Sequence, residues 1–155
     1  MKLGWIGTGV MGAAIVRNLM AAGYEMTVYN RTKRKADDLV ANGATWADTP
    51  AEVAQNSDVV FTMVGFPSDV EQVYFGHDGI FEGLTAGKTV IDMTTSQPKL
   101  AVKIADYATA HGMQALDAPV SGGDIGAKNA TLTVMVGGDE QTYTAMLPLF
   151  NVLGH

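Results

Sequence analysis

The stretch Gly7-Thr8-Gly9-Val10-Met11-Gly12 places three glycines at the spacing GxGxxG. It follows an apolar run, Leu3 to Ile6, and precedes an Ala-, Leu- and Met-rich segment of helical character, Ala13 to Ala22. A strand that turns through glycines into a helix presents the free N–H groups of the first helical turn, where the helix dipole favours an anion. Each glycine has a task in such a turn. Gly7 makes the tight bend, Gly9 lets the backbone approach a pyrophosphate, and Gly12 allows helix and strand to pack closely. Thr8, Val10 and Met11 occupy the positions between them. Without a ligand the same hexamer is only a glycine-rich turn, but the strand before it and the helix after it are the context that binding requires.

A second group of residues bears on which dinucleotide such a turn would hold. In an NAD-binding domain the second strand ends in Asp or Glu, which bonds the ribose 2′-hydroxyl. Here that strand, Met26 to Tyr29, runs into Asn30 with no carboxylate. Arg31-Thr32-Lys33-Arg34-Lys35 follows, which concentrates basic residues in five positions. A 2′-phosphate calls for a guanidinium and short polar donors and repels a carboxylate. Asn30, Arg31 and Thr32 supply those donors, so NADP is the expected cofactor, ahead of NAD. Lys33, Arg34 and Lys35 read equally well as a solvated helix face.

These loops need elements to hold them, and the sequence supplies alternating ones. Nearly continuous apolar runs at Leu3–Ile6, Met26–Tyr29, Val59–Val64, Thr89–Met93, Ala115–Pro119 and Leu132–Val136 predict strands covered on both faces. Between them lie predicted helices: Ala13–Ala22, stopped by Gly23; Thr32–Ala41, before Asn42-Gly43; Ala51–Asn56, opened by Thr49-Pro50; Ser68–Tyr74; Pro98–Ala110; and Asp139–Phe150. This alternation predicts an α/β, doubly wound Rossmann fold, with a mainly parallel sheet and helices on both faces. No internal boundary is visible, so residues 1–155 read as one dinucleotide-binding domain.

Bulk properties remove other function classes. The chain is 47% hydrophobic and 17% charged, a globular composition. It has no cysteine, hence no disulfide or thiolate metal site. His77, His111 and His155 are scattered, and no metal site is expected. A net charge of −6 disfavours nucleic acid and anionic membranes as partners. No apolar run approaches the roughly 20 residues of a membrane span. Met1 leads straight into a strand, so no signal peptide and a cytoplasmic location are expected.

Beyond this point the residues resemble a known family. Leu3 to Gly12 is similar to the N-terminal signature of the 3-hydroxyisobutyrate dehydrogenase group of β-hydroxyacid dehydrogenases, which also includes 6-phosphogluconate dehydrogenase. Val28-Tyr29-Asn30-Arg31-Thr32 resembles the NADP-type loop of that family, and Thr62 to Val70 its third strand and the loop over the cofactor. Asp92-Met93-Thr94-Thr95-Ser96-Gln97-Pro98 is similar to the strand end beside the nicotinamide, and Asp117-Ala118-Pro119-Val120-Ser121-Gly122-Gly123 to the substrate-binding signature. The resemblance implies reversible hydride transfer between NADP(H) and a short β-hydroxyacid or its semialdehyde or keto form.

The same resemblance implies roles for particular residues. Ser121, Gly122 and Gly123 would hold the carboxylate of a small substrate through a hydroxyl and backbone N–H groups. Thr95 would bond near the nicotinamide, and Met63, Val64 and Pro67 would line the cofactor cleft. Ordinary readings stand beside these: strand-end core for Met63 and Val64, a turn former for Pro67, a helix cap for Thr95, a plain flexible loop for Ser121-Gly122-Gly123.

Members of this family are nearly twice as long and carry a catalytic lysine in an all-helical second domain. Lys88, Lys99, Lys103 and Lys128 lie in no matching context. The expectation is therefore a truncated chain, binding cofactor but catalytically inactive alone, from a parent that is a homo-oligomer. Alternatives are a non-catalytic dinucleotide-binding module and the cofactor domain of an imine reductase. Apolar surface is expected around Leu147 to Leu153. Ala130 stands where relatives have a glycine, and a positive φ being costly for alanine, the turn is expected to be remodelled.

Overall fold

A computed structural model of the chain describes residues 1–94 and 97–154. The chain opens with β1 (Lys2–Ile6), α1 (Val10–Ala21) and β2 (Glu25–Tyr29). A short 3₁₀ turn (Lys33–Ala36), α2 (Asp37–Ala41), β3 (Thr45–Trp46) and α3 (Pro50–Gln55) lead to β4 (Val59–Thr62). Then come α4 (Pro67–Phe75), α5 (Ile80–Gly83), β5 (Thr89–Asp92), α6 (Pro98–Ala110) and β6 (Gln114–Asp117). The last part holds β7 (Val120–Ser121), α7 (Gly123–Asn129), β8 (Thr133–Val134), β9 (Gly137–Gly138) and α8 (Glu140–Leu153).

The main sheet has seven strands in the order β3-β2-β1-β4-β5-β6-β9, parallel except for the β6–β9 pair. The order reverses at β1: one half winds outward through β2 and β3, the other through β4, β5 and β6. That is the doubly wound arrangement, whose ligand crevice lies beyond the carboxyl ends of the strands at the reversal.

Alternation along β1 shows how both faces are covered. Leu3 and Trp5 join a core with Ile15, Val16 and Leu19 of α1 and Leu149, Phe150 and Leu153 of α8. Ile6 faces the other way, with Val53 of α3, Val70 and Tyr74 of α4 and Ile104 of α6. Two apolar layers therefore clamp the sheet, and its strand ends are held in fixed register.

Several expectations need correction. The predicted strand Leu132–Val136 is not in the main sheet; Thr133–Val134 pairs with Val120–Ser121 in a separate two-stranded ribbon, and Leu132 bridges to Gly154. Pro119 has no N–H, and the ladder of β6 stops one residue before it, at Ala118, whose N–H donates to the Asp92 carbonyl. The predicted helix Thr32–Ala41 divides into the 3₁₀ turn and α2. The apolar end of α8 is mostly interior: Leu149, Phe150 and Leu153 are buried, and Leu147 and Val152 are half-buried. Ala130 does adopt the left-handed conformation (φ 55, ψ 41), as the C-cap of α7, so the turn keeps the backbone form that glycine would favour.

Candidate cofactor-binding site

Register aligns Tyr29, Ile6, Thr62, Asp92 and Asp117 in one row at the carboxyl ends of five adjacent strands. Every loop singled out in the sequence leaves the sheet just beyond this row. The glycine-rich turn is the best anchored of them. Its Gly7 N–H donates to the Tyr29 carbonyl at 3.0 Å, and the buried Trp5 indole Nε1 donates to the Gly7 carbonyl at 2.9 Å. Gly7 has φ +106, and a Cβ there would overlap the Met63 carbonyl oxygen. Gly12 is equally constrained, since a Cβ would run into the Gly7 carbonyl oxygen. Gly9 differs: it is exposed, with nothing within 4 Å of the position a Cβ would take. Two glycines thus make the turn, and the third leaves its outer face open.

That open face has the character of an anion site. Gly9 is the N-cap of α1, and it offers no side chain to the first-turn N–H groups. No acidic residue lies in the first turn. Thr8 is 2% exposed, and its Oγ1 is buried without a hydrogen-bond partner among the described residues. A buried hydroxyl lacking a partner costs free energy, and a diphosphate on α1 would offer it an acceptor. These residues fit a dinucleotide. Val10 is 73% exposed at the start of α1, and Met11 is half-buried behind it.

The neighbouring loop is braced rather than free. Thr8 N–H donates to Asn30 Oδ1 at 3.1 Å, and Asn30 Nδ2 donates to the Thr32 carbonyl at 2.9 Å. Asn30 therefore ties the second loop to the first. Arg31 is 78% exposed, and its Nη2 meets Asp69 Oδ1 at 2.7 Å. Asp69, on the first turn of α4, also accepts the Phe66 N–H through Oδ2 at 3.1 Å. Lys33 sits over the Trp46 ring, 5.4 Å from its centroid, while Arg34 and Lys35 are exposed.

On the other side of β1, Met63 and Val64 are half-buried, one packed against each core layer. The Met63 N–H donates to the Ile6 carbonyl and the Val64 N–H to Thr94 Oγ1. Pro67 is the first residue of α4. Thr95 lies outside the described residues. Behind this loop is a polar network that sequence reasoning missed. Thr62 Oγ1 donates to Asp92 Oδ1 at 2.9 Å and lies 2.9 Å from the Tyr74 hydroxyl, and the Thr94 N–H donates to the same Asp92 oxygen. With Thr62 donating to Asp92, the Tyr74 hydroxyl donates to Thr62. Burial, with the Asp92 charge, pushes the Tyr74 hydroxyl well above its usual range. Desolvation and then Asp92 also raise the Asp117 carboxyl. Asp92 thus also satisfies a donor of the loop that follows it.

Ser121, Gly122 and Gly123 are exposed on the path that leaves β6 at this same edge. They form the end of β7, the N-cap of α7 (Gly122, φ +132) and its first residue (Gly123, φ +64). Helix α7 packs along α1, with Asn18 Nδ2 donating to the Ala127 carbonyl at 2.7 Å. Of the lysines, Lys88 pairs with Asp58 and Lys103 with Glu71, while Lys99 and Lys128 are exposed. His77 comes together with Asp78 and Glu82 beyond the far end of α4, where His77 and Glu82 are exposed. Among the described residues, no helix is long and apolar enough to cross a membrane.

A sheet reversing at β1, with an uncapped glycine-rich helix start beyond it, defines a dinucleotide-binding α/β domain. The sequence matches the NAD binding domain of 6-phosphogluconate dehydrogenase over residues 2–155, and the chain belongs to that family. It is 51% identical over 154 residues to a probable mitochondrial 3-hydroxyisobutyrate dehydrogenase-like protein of Arabidopsis thaliana, covering 99% of this chain and 46% of that protein. It is 42% identical over 154 residues to 2-hydroxy-3-oxopropionate reductase of Escherichia coli, covering 99% and 52%. The fold is similar to 3-hydroxyisobutyrate dehydrogenase of Mycobacterium tuberculosis with L-serine, at TM-score 0.92, 33% identity and coverage of 99% and 52%. It is also similar to an imine reductase of Myxococcus stipitatus in complex with NADP+, at TM-score 0.88, 27% identity and coverage of 99% and 53%. A variant of that imine reductase is in complex with NAD+. The chain spans about half the length of the curated relatives it matches.

Proposed function

We propose that this chain is the NADP-binding half of an oxidoreductase that interconverts a short β-hydroxyacid and its semialdehyde or keto form. The uncapped start of α1, with the buried Thr8 hydroxyl beside it that has no partner among the described residues, is the observation that carries the reading. Gly7, Thr8, Gly9, Val10, Met11 and Gly12 form the diphosphate cradle. Asn30, Arg31 and Thr32 surround the ribose 2′-phosphate, and Met63, Val64, Pro67 and Thr95 face the nicotinamide half. Ser121, Gly122 and Gly123 receive the substrate carboxylate.

The nicotinamide, when bound, exchanges a hydride with the substrate carbon. This chain's residues bind and orient the cofactor and keep its ends apart. Oxidation also needs a base for the hydroxyl proton. Lys88 and Lys103 are held in ion pairs, and on this reading the chain alone binds cofactor and turns over little substrate.

Calorimetric titration of the chain with NADPH and with NADH, at fixed salt, tests the cofactor assignment. NADPH is expected to bind more tightly, and Arg31→Glu to remove about 1 kcal/mol or more of that preference, the lower part of the range for a charge-assisted contact because Arg31 is exposed. Failure of both nucleotides to bind at millimolar concentration would overturn the assignment.

A further inference from the structure

The sequence offers no carboxylate at the end of β2, where NAD-binding domains place one. The structure nevertheless brings one to that corner from elsewhere. Asp69 belongs to α4, which follows β4, whereas Arg31 follows β2. In the sheet, β1 lies between those two strands. The Arg31–Asp69 ion pair therefore spans the carboxyl end of β1, across the mouth of the crevice at the topological reversal.

The two partners are held unequally. Asp69 is only 22% exposed, and its second oxygen is fixed by the Phe66 N–H at the start of α4. Arg31 is 78% exposed at the tip of its loop. The carboxylate is thus the better anchored partner, and the guanidinium is the more exposed one. A 2′-phosphate approaching Arg31 must compete with Asp69 for its donors and also meets the negative charge of Asp69. A 2′-hydroxyl meets neither penalty, because it carries no charge.

We propose that Asp69 is a specificity-determining residue that weakens NADP binding relative to NAD by engaging Arg31. This rests on the reading of Arg31 as the 2′-phosphate contact. It makes the site one of moderate selectivity, with a cation and a carboxylate sharing one corner. An exposed ion pair is worth little, so the expected effect is small and specific: about two- to five-fold in NADPH affinity.

The test is calorimetric titration of the whole chain with NADPH and NADH, comparing wild type, Asp69→Asn, Arg31→Ala and the double variant, at low and high salt. Asparagine in place of Asp69 keeps an acceptor for the Phe66 N–H while removing the charge. Asp69→Asn is expected to tighten NADPH binding by about two- to five-fold and to leave NADH within experimental error. The gain should shrink in the Arg31→Ala background and fade at high salt, where exposed charges are screened. Weaker NADPH binding by Asp69→Asn would overturn the proposal and make Asp69 a strut that positions Arg31. An equal shift for both nucleotides would also overturn it, since that marks a change in the crevice rather than in 2′-phosphate recognition. Absence of any nucleotide binding by wild type is a different result, and it refutes the cofactor reading itself.

Discussion

Thr8→Val should make the protein more stable and a poorer binder. Valine keeps the β-branched outline of threonine and replaces its hydroxyl with a methyl. Thr8 is 2% exposed, and its Oγ1 has no hydrogen-bond partner among the described residues. The protein therefore carries the desolvation cost of that hydroxyl, about 1–3 kcal/mol for a buried unsatisfied group. The backbone tie from Thr8 N–H to Asn30 Oδ1 does not involve the side chain and survives the substitution. The gain should lie toward the lower end of the range, about 1 kcal/mol, since a methyl in place of a hydroxyl must still be accommodated. In a domain of this size that raises the melting temperature by about 2–4 °C.

Binding should move the other way. A hydroxyl that donates to a diphosphate oxygen makes a hydrogen bond to a charged group, worth about 1.5–3 kcal/mol. Its loss corresponds to a rise of roughly ten- to hundred-fold in the Kd for NADPH. Urea denaturation without nucleotide reads the first effect and calorimetric titration the second. A variant that is less stable and binds NADPH as well as wild type would refute the reasoning, because Thr8 would then be an ordinary core residue with a satisfied hydroxyl. Opposite signs in the two measurements are the mark of a group kept for a ligand.

Two further substitutions probe the C-cap of α7 and the end of β6. Ala130→Gly should stabilise by about 0.5 kcal/mol: relief of a left-handed alanine, about 1–2 kcal/mol, exceeds the added chain entropy of glycine, about 0.4–1 kcal/mol. Chemical denaturation should show a higher midpoint, and a lower one would mean that the methyl packs usefully at the end of α7. Asp117→Asn should change how stability depends on pH. The folded-state pKa of Asp117 is raised, by desolvation first and Asp92 second. Its favourable contribution is therefore complete below the unfolded carboxylate value near 4 and is lost as pH rises through the folded one. The difference in stability between the Asp117→Asn variant and wild type should grow in the variant's favour over that interval and level off above it; a difference independent of pH would refute the assignment.

Much of the fold was legible because local signals and tertiary packing agree. The helix starts at Thr49 and Asp139 were readable as caps, and both side chains accept an N–H three residues on, from Glu52 and Thr142. Pro98 and His111-Gly112 bound α6 as predicted, over Pro98–Ala110. The glycine-rich turn was legible because its spacing reflects contacts that no side chain can replace at Gly7 and Gly12. Other features have no local signature. β3 has two residues, and β9 is Gly137-Gly138, whose pairing with β6 comes from position alone. Helix α7 contains two glycines and no apolar stripe, and α1 holds it in place. The Arg31–Asp69 pair joins residues 38 apart in sequence, and Thr62 meets Asp92 across 30. Such pairs follow from strand order and register, and no single window of sequence contains them.

The polar groups that cost stability are placed unevenly. At the amino ends of the strands, Asp58 accepts from Lys2 N and pairs with Lys88, a surface arrangement that lowers its carboxyl pKa. At the carboxyl ends the chain instead holds a hydroxyl that is buried without a partner among the described residues, a buried carboxylate at Asp92 and a raised carboxyl at Asp117. A sequence selected for stability alone would avoid most of these, since each costs free energy in the folded state. Both ends share the same strands and the same two core layers, so packing does not explain the difference. A ligand at one end does: it supplies acceptors and charges that the folded chain lacks by itself. Local rules fail together where a site has to remain open to a partner, and here they fail along one edge of one sheet.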